Sequence, residues 1–415
     1  MTLSSRTPRA VIAVLFTTYL VCYLDRLVMA SAIPFIAKDL QFSATESGAV
    51  MSAFFAGYAL MQIPGGMLAD RYGPRRILTC AILLWSVFTA LTALATSMVS
   101  LVVVRILFGV TEGAAPSAVS KAVRIWAPGQ VGRVNGLLLG ATQLGPALAP
   151  LFVATLIVDW GWRGVFFSLL VPGLILAAFV FRVVGDRRDD AAAEPEHVAT
   201  TAPLPAGRSS LGHILRCQPI LWSVGCAIFA SVANWGMMSW IPTYLLTRFG
   251  LSIKDMGIAA AMPFLTAAIG YYLGGHIGDR LFPHRRGLPI AIGLFLASLA
   301  TLSLTVASTA FAATAAFMLI YFFLSIALSC LFSLPLAVMP APLVATSFSV
   351  VNGGAQIGAF LAPISIGAIL DGSRNNFTLV FATLVIVLAV GGVMALLIRP
   401  ERRDDLLSPG GMATA

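Results

Sequence analysis

"GGMLADRYGPRR", residues 65–76, sits between two long apolar runs, and a relative of it, "GGHIGDRLFPHRR", occupies residues 274–286. The offset of 209 residues that superposes Gly65 on Gly274 also carries "FSATESG" at 42–48 onto "LSIKDMG" at 251–257. Further on, "QLGPALAP" at 143–150 matches "QIGAFLAP" at 356–363. The matched stretches follow one another in the same order, so the chain is a parallel duplication. In each copy a Ser is followed three residues later by an acid (Ser43 and Glu46, Ser252 and Asp255), which predicts a capped helix start.

Composition says what surrounds these copies. Of 415 residues, 59% are hydrophobic and 10% charged, too little polar surface to cover a soluble globule. Apolar segments of about 20 residues, the length that crosses a hydrocarbon core, recur at approximately 11–36, 47–69, 77–96, 99–121, 136–158, 163–183, 218–245, 256–278, 288–308, 312–338, 344–370 and 377–398. No ten-residue alternation of the β-barrel kind appears. The fold class expected is all-α integral membrane, twelve transmembrane helices in two pseudo-symmetric six-helix halves. The halves are residues 1–184 and 217–415, the latter with a short tail, joined by a charged, Pro- and Ala-rich linker at 185–216 that has no apolar periodicity.

Basic residues near span ends remain on the cytoplasmic side. With both termini cytoplasmic, nineteen of the 26 Lys and Arg residues fall on inner segments and five on outer ones, leaving Arg26 and Arg105 inside spans. The net charge of +9 is therefore a topology signal rather than the mark of a nucleic-acid partner. The first apolar run is too long for a cleaved signal and contains Asp25–Arg26, so it reads as a retained span. Cys22, Cys80, Cys217, Cys226 and Cys330 lack metal-ligand spacing and read as small buried hydrophobes.

At this point "GGMLADRYGPRR" and its degraded copy resemble the signature loop of the major facilitator superfamily, secondary transporters built from duplicated six-helix halves with substrate bound between them. Gly66 is read as permitting close helix packing, and Asp70 with Arg71, Arg75 and Arg76, echoed by Asp279 and Arg280, as a cytoplasmic gate. The simpler alternative is a turn with topology-setting arginines.

Four charges fit neither topology nor this loop: Asp25, Arg26, Arg105 and Glu112. Each costs at least about 2.5–3.5 kcal/mol at a helix centre on insertion scales, so each needs a partner or a watery cavity. Arg105 and Glu112 share one side of a helix but lie about 10 Å apart along it, too far for direct pairing. Asp25 and Arg26 diverge by about 100°, so each meets something different. A guanidinium matches a carboxylate as a planar fork, while a buried acid can carry a proton. The alternative is a structural ion-pair network or, for Arg105, snorkelling to the interface. Tyr23, Tyr58, Gln143, Asn352 and Gln356 add polar groups at matching depths.

"YLDR" in the first span, "YALMQIPGG" followed by Asp–Arg in the second, Arg followed seven later by Glu in the fourth and a Gln in the fifth resemble the anion:cation symporter family of that superfamily. The resemblance implies proton-coupled import of an organic anion, a sugar acid or related carboxylate. Arg26 and Arg105 would bind the substrate carboxylate, Asp25 and Glu112 would carry protons, and Tyr23, Tyr58, Gln143, Ser329 and Asn352 would line the site. The second half has Asn234–Trp235 near where the charged pair would repeat, so coupling is assigned to the first half. The implied setting is a bacterial inner membrane, with a monomer that needs no cofactor or metal.

"GATQLGPALAP" also partly resembles the signature of proton-driven drug exporters, but two arginines would repel a cationic drug. A non-transporting solute receptor is the alternative of another class, and the short tails offer it no signalling domain. An enzyme is not expected, since nucleotide-loop, metal-binding and nucleophile motifs are missing.

Overall fold

The computed structural model describes residues 8–127, 130–185, 214, 217–282, 285–339 and 343–398. Of the expected linker at 185–216, all but Gly185 and Ile214 lie outside the described residues, as do Arg6 and the residues after 398.

The described chain is helical: α1 Pro8–Leu40, α2 Ala44–Tyr72, α3 Pro74–Thr92, α4 Met98–Gly113, α5 Ala115–Trp126, α6 Val131–Ser168, α7 Leu170–Val183, α8 Gln218–Phe249, α9 Ile253–His276, α10 Gly287–Leu304, α11 Ala310–Val338, α12 Val344–Gly372 and α13 Phe377–Leu396. A π-helical turn, Ile277–Leu281, follows α9 and carries Asp279 and Arg280. Both predicted caps form: the Ser43 hydroxyl accepts from the Glu46 N–H at 3.1 Å, and Ser252 accepts from the Asp255 N–H at 3.1 Å.

Among the described residues, ten stretches are long and apolar enough to cross a membrane. One of them, Arg133–Val183, runs for 51 residues and is broken at Gly161, whose φ of 63° and ψ of 176° suit glycine. The less apolar α2, which holds Glu46, Asp70 and Arg71, supplies another helix of 29 residues. Together these agree with the expected twelve spans. The fourth differs from expectation, running from Met98 to Trp126 with a break after Gly113. Pro116 causes it, because it lacks the N–H that would bond the Glu112 carbonyl.

The described residues form two compact units. The first combines the described residues up to 185 with 237–265 and 362–376, and the second combines those from 214 to 236, from 266 to 361 and from 377 to 398. In the first, α2 packs on α4, α1 on α6, and α3 on α4 and α7. The α2–α4 seam is made of small residues, which let backbones approach. A Cβ added at Gly109 would lie 2.8 Å from the Tyr58 nitrogen, and one at Gly65 would lie 2.7 Å from the Ala114 Cα. In the second unit the repeat reuses the device: Gly274 of α9 sits against Ile326 and Ser329 of α11, and Gly354 and Gly358 of α12 against Val224 and Ile228 of α8.

The sequence singled out Gly66 for close packing, and the structure gives that role to Gly65. A Cβ at Gly66 would make only ordinary contact with Ser117, at 3.5 Å. Adjacent residues of a helix point about 100° apart, so one position decides which glycine faces the neighbour.

Candidate functional site

α1 and α4 present the four intramembrane charges inside the first unit, and all four are buried: Asp25 is 2% exposed, Arg26 9%, Arg105 2% and Glu112 0%. Their formal charges, two acids and two arginines, cancel. Within the group, Arg26 donates through Nη2, closely, and through Nε at 3.1 Å to Glu112 Oε1. The Cys22 thiol, one helical turn before Arg26, donates to the same oxygen at 3.1 Å.

Aromatic rings enclose the Arg26 guanidinium. Its Cζ lies 4.6 Å from the Tyr23 ring centre, 4.7 Å from that of Phe54 and 4.9 Å from that of Tyr58. Such rings attract a cation through their negative faces. Phe54 and Tyr58 are four residues apart on α2, hence on one face, and the glycine seam brings that face against α4. Gly145 performs the same service on the other side of α1, where an added Cβ would come within 2.8 Å of the Leu24 nitrogen and of the Tyr23 Cβ.

Arg105 stands differently. Its Cζ lies 5.2 Å from the Phe108 ring, and among the described residues it forms no ion pair within 4.0 Å. Its Nε, Asp25 Oδ1 and Glu112 Oε2 are buried polar atoms without a hydrogen-bond partner. A buried unpaired polar group costs roughly 1–3 kcal/mol. Three such atoms lie on the two helices that carry the charges.

The remaining predicted residues divide. Tyr23 and Tyr58 join the Arg26 box. Gln143 is half-buried and donates to Thr142 Oγ1 at 3.3 Å. Ser329 and Asn352 belong to the second unit, where the Ser329 hydroxyl donates to the Tyr271 carbonyl at 3.0 Å and Asn352 is half-buried on α12.

In the signature loop, Asp70 pairs with Lys121 at 3.2 Å. Lys121 Nζ also donates to the Ala69 carbonyl at 3.0 Å and the Asp70 carbonyl at 3.2 Å, capping the negative end of α2. The Arg75 guanidinium lies 4.0 Å from the Phe181 ring centre and that of Arg71 lies 5.3 Å from Tyr72's. Arg76 and Arg280 are exposed, and the Asp279 side chain lies outside the described ones.

Sequence reasoning missed Cys22, Phe54, Phe108 and Lys121, and it missed Asp371. The Asp371 carboxylate accepts from the N–H of Ala44 at 3.0 Å, the N–H of Thr45 at 2.8 Å and the Thr45 hydroxyl at 2.6 Å. It thus caps α2 from α12, and nearby the Ile364 N–H donates to Ser52 Oγ at 3.2 Å. The spacing of Phe54 and Tyr58, and that of Arg105 and Phe108, was available in the sequence; Cys22, Lys121 and Asp371 pair across too many residues to leave a local signal. Four of the five cysteines are buried, whereas Cys80 is exposed, against expectation. No group of three or more His, Cys, Asp or Glu that could hold a metal occurs among the described residues.

Known proteins share this plan. Residues 15–363 match the family model of the Major Facilitator Superfamily. The hexuronate transporter of Bacillus subtilis is 33% identical over 274 residues, 66% of this chain and 64% of that protein. The probable sulfoacetate transporter SauU of Cupriavidus necator is 29% identical over 95% of this chain and 94% of its own length, and the probable L-galactonate transporter of Escherichia coli is 29% identical over 91% and 86%. Among solved structures, an inward-facing, unoccupied bacterial homologue of the lysosomal transporter Spinster matches with TM-score 0.78 at 21% identity, covering 96% of this chain and 95% of its own. A D-xylose–proton symporter matches at 0.78 with 14% identity, covering 94% and 98%. The duplicated bundle, the loop after α2 and a family match across most of the chain lead to one conclusion: this multi-pass membrane protein belongs to the Major Facilitator Superfamily, a family of transporters and not of enzymes.

Proposed function

We propose that this protein imports an organic anion of the sugar-acid class together with protons, by alternating access, as a monomer in a bacterial inner membrane with both termini cytoplasmic. The observation that carries the reading is the buried Arg26–Glu112 pair beside an Arg105 that forms no ion pair among the described residues. A buried guanidinium stays charged at all physiological pH and is costly without an anion. Glu112 supplies that anion while it is ionised. When Glu112 takes a proton, Arg26 turns to another carboxylate, and the substrate brings one. Proton entry and anion binding are thereby the same event at one oxygen. Release reverses it: the anion leaves, Glu112 gives its proton to water on the cytoplasmic side and pairs with Arg26 again, and the satisfied site reorients.

Asp25 and Arg105 offer a second set of the same chemistry, with Arg105 as the first anchor for an arriving carboxylate. The relatives' names, which speak of hexuronate, galactonate and sulfoacetate, support an anion that carries a carboxylate or sulfonate. The cap that Asp371 makes on α2, with Pro363 and Ile364 packed against Gly48, serves in this reading as the outer gate, and the Asp70–Lys121 cluster as its inner counterpart.

The test is uptake of labelled D-glucuronate, D-galactonate and sulfoacetate into proteoliposomes under an imposed pH, potential or sodium gradient. One pH unit supplies about 1.4 kcal/mol per proton, and 100 mV about 2.3 kcal/mol per net charge moved. Two protons with a monoanion would make uptake respond to both. Uptake that follows sodium and ignores pH and potential overturns the proposal.

A further inference from the structure

We propose that the outer seam between α2 and α12 is a polar latch whose lock sits at the Pro363–Ile364 peptide of α12, held by Ser52 of α2 and Trp240 of α8, and that the duplicated seam between α9 and α6 repeats the packing without the lock. The inference rests on the alternating-access part of the reading above, and on no choice of anion or coupling ion.

All these parts lie in the first unit. Along α2, Thr45, Gly48 and Ser52 form one stripe, and along α12, Pro363, Gly367 and Asp371 form another, each stepping about one helical turn. The stripes run in opposite directions. Asp371 meets the start of α2, a Cβ added at Gly367 would lie 2.9 Å from the Thr45 Cα, and one at Gly48 would lie 2.8 Å from the Ile364 Cα. Small and polar residues bury little apolar area, so hydrogen bonds take the larger share in holding this seam. At its inner end both polar groups of a single peptide unit engage side chains of other helices: the Pro363 carbonyl accepts from Trp240 Nε1 at 3.1 Å, and the Ile364 N–H donates to Ser52 Oγ at 3.2 Å. Pro363 makes this possible, because a proline disturbs the helical ladder around it. Ser52 is 1% exposed and Trp240 5%, so parting the helices breaks both bonds before water can replace them.

The offsets of the repeat identify the copy. Gly257 answers Gly48 and Pro150 answers Pro363, and a Cβ added at Gly257 would lie 3.0 Å from the Pro150 carbonyl oxygen and 2.7 Å from the Ala154 Cβ. Glycine thus faces proline in both seams. Ala261 stands in place of Ser52 and Val158 in place of Asp371, side chains that cannot hydrogen-bond. Ser31 stands in place of Trp240, and its hydroxyl has no hydrogen-bond partner among the described residues. Packing alone serves the second seam, so the polar groups of the first do more than fill space. Hydrogen bonds weaken steeply with misalignment, which gives the α2–α12 seam a defined closed position and a short path to release.

The experiment is hydrogen exchange by mass spectrometry on the purified, ligand-free protein, with residues 150–158 and 253–261 of the copy as the internal standard for residues 44–52 and 363–371. Trp240→Phe keeps a ring and loses the N–H. It is expected to speed exchange about three- to tenfold in 44–52 and 363–371, the worth of one hydrogen bond, and to leave the copy unchanged. If Trp240→Phe does not fold, Ser52→Ala carries the same expectation. A merely structural pair would lower the unfolding temperature and speed exchange in both seams alike; that result, or unchanged exchange in the first seam, overturns the proposal. Exchange is read without a transported anion, so uptake that follows sodium overturns the function proposed above and leaves this test standing.

Discussion

The α2–α4 seam of the first unit and the α9–α11 seam of the second are built alike and used differently. Both bring two helices together over glycines, Gly57, Gly65, Gly109 and Gly113 in one, Gly270 and Gly274 in the other. The first seam borders Arg105 and Glu112, each of which has a buried polar atom without a hydrogen-bond partner among the described residues. The second borders neutral groups that have partners: Tyr321 donates to the Asn234 carbonyl at 3.0 Å, Ser329 to the Tyr271 carbonyl at 3.0 Å and Cys330 to the Gly274 carbonyl at 3.2 Å. Duplication supplied one scaffold twice, and the difference shows what the scaffold alone requires. Close packing needs small residues and satisfied carbonyls.

The strongest way to break this comparison is to neutralise the first seam. Glu112→Gln is expected to abolish uptake driven by a pH gradient while substrate exchange across equilibrated vesicles continues, because exchange needs only the loaded carrier to reorient. Gradient-driven uptake persisting in this variant would remove the proton role of Glu112. Next in size, Arg105→Ala should weaken anion binding by about 10- to 100-fold, the value of a hydrogen bond to a charged group, with Arg105→Lys falling between. Calorimetric titration with the transported anion reads this, and near-normal affinity would reject the anchor.

A smaller effect is expected at the cap. Asp371→Asn keeps the shape but loses the charge that meets the positive end of α2, so the amides of Ala44 and Thr45 should exchange hydrogen several-fold faster by mass spectrometry. Unchanged exchange would mean the cap holds nothing. The smallest effect sharpens the comparison from the neutral side. Tyr321→Phe removes one buried hydrogen bond and should destabilise by about 1 kcal/mol, seen as a lower unfolding temperature, with the pH response of transport untouched. A shifted pH response would show that the second seam shares in coupling.

Asp70 illustrates why a motif is weaker evidence than its surroundings. Its side chain is 82% exposed where it meets Lys121, and exposed ion pairs contribute about 0–1 kcal/mol. Lys121 is tied to α2 as much through the Ala69 and Asp70 carbonyls as through the carboxylate.

What the sequence alone determined is everything set by local rules: the membrane spans, because apolar length is counted along the chain; the duplication; the caps at Ser43 and Ser252; and the presence of Asp25, Arg26, Arg105 and Glu112 where charge is costly. It also excluded a direct Arg105–Glu112 contact, from helical rise. What only the tertiary structure decided is who meets whom. Arg26 finds Glu112 across 86 residues, Asp371 finds Thr45 across 326, and Gly65 rather than Gly66 faces α4. These choices depend on the rotation and depth of each helix against its neighbours, which arise from many packing contacts at once, and no periodicity along a single helix records them.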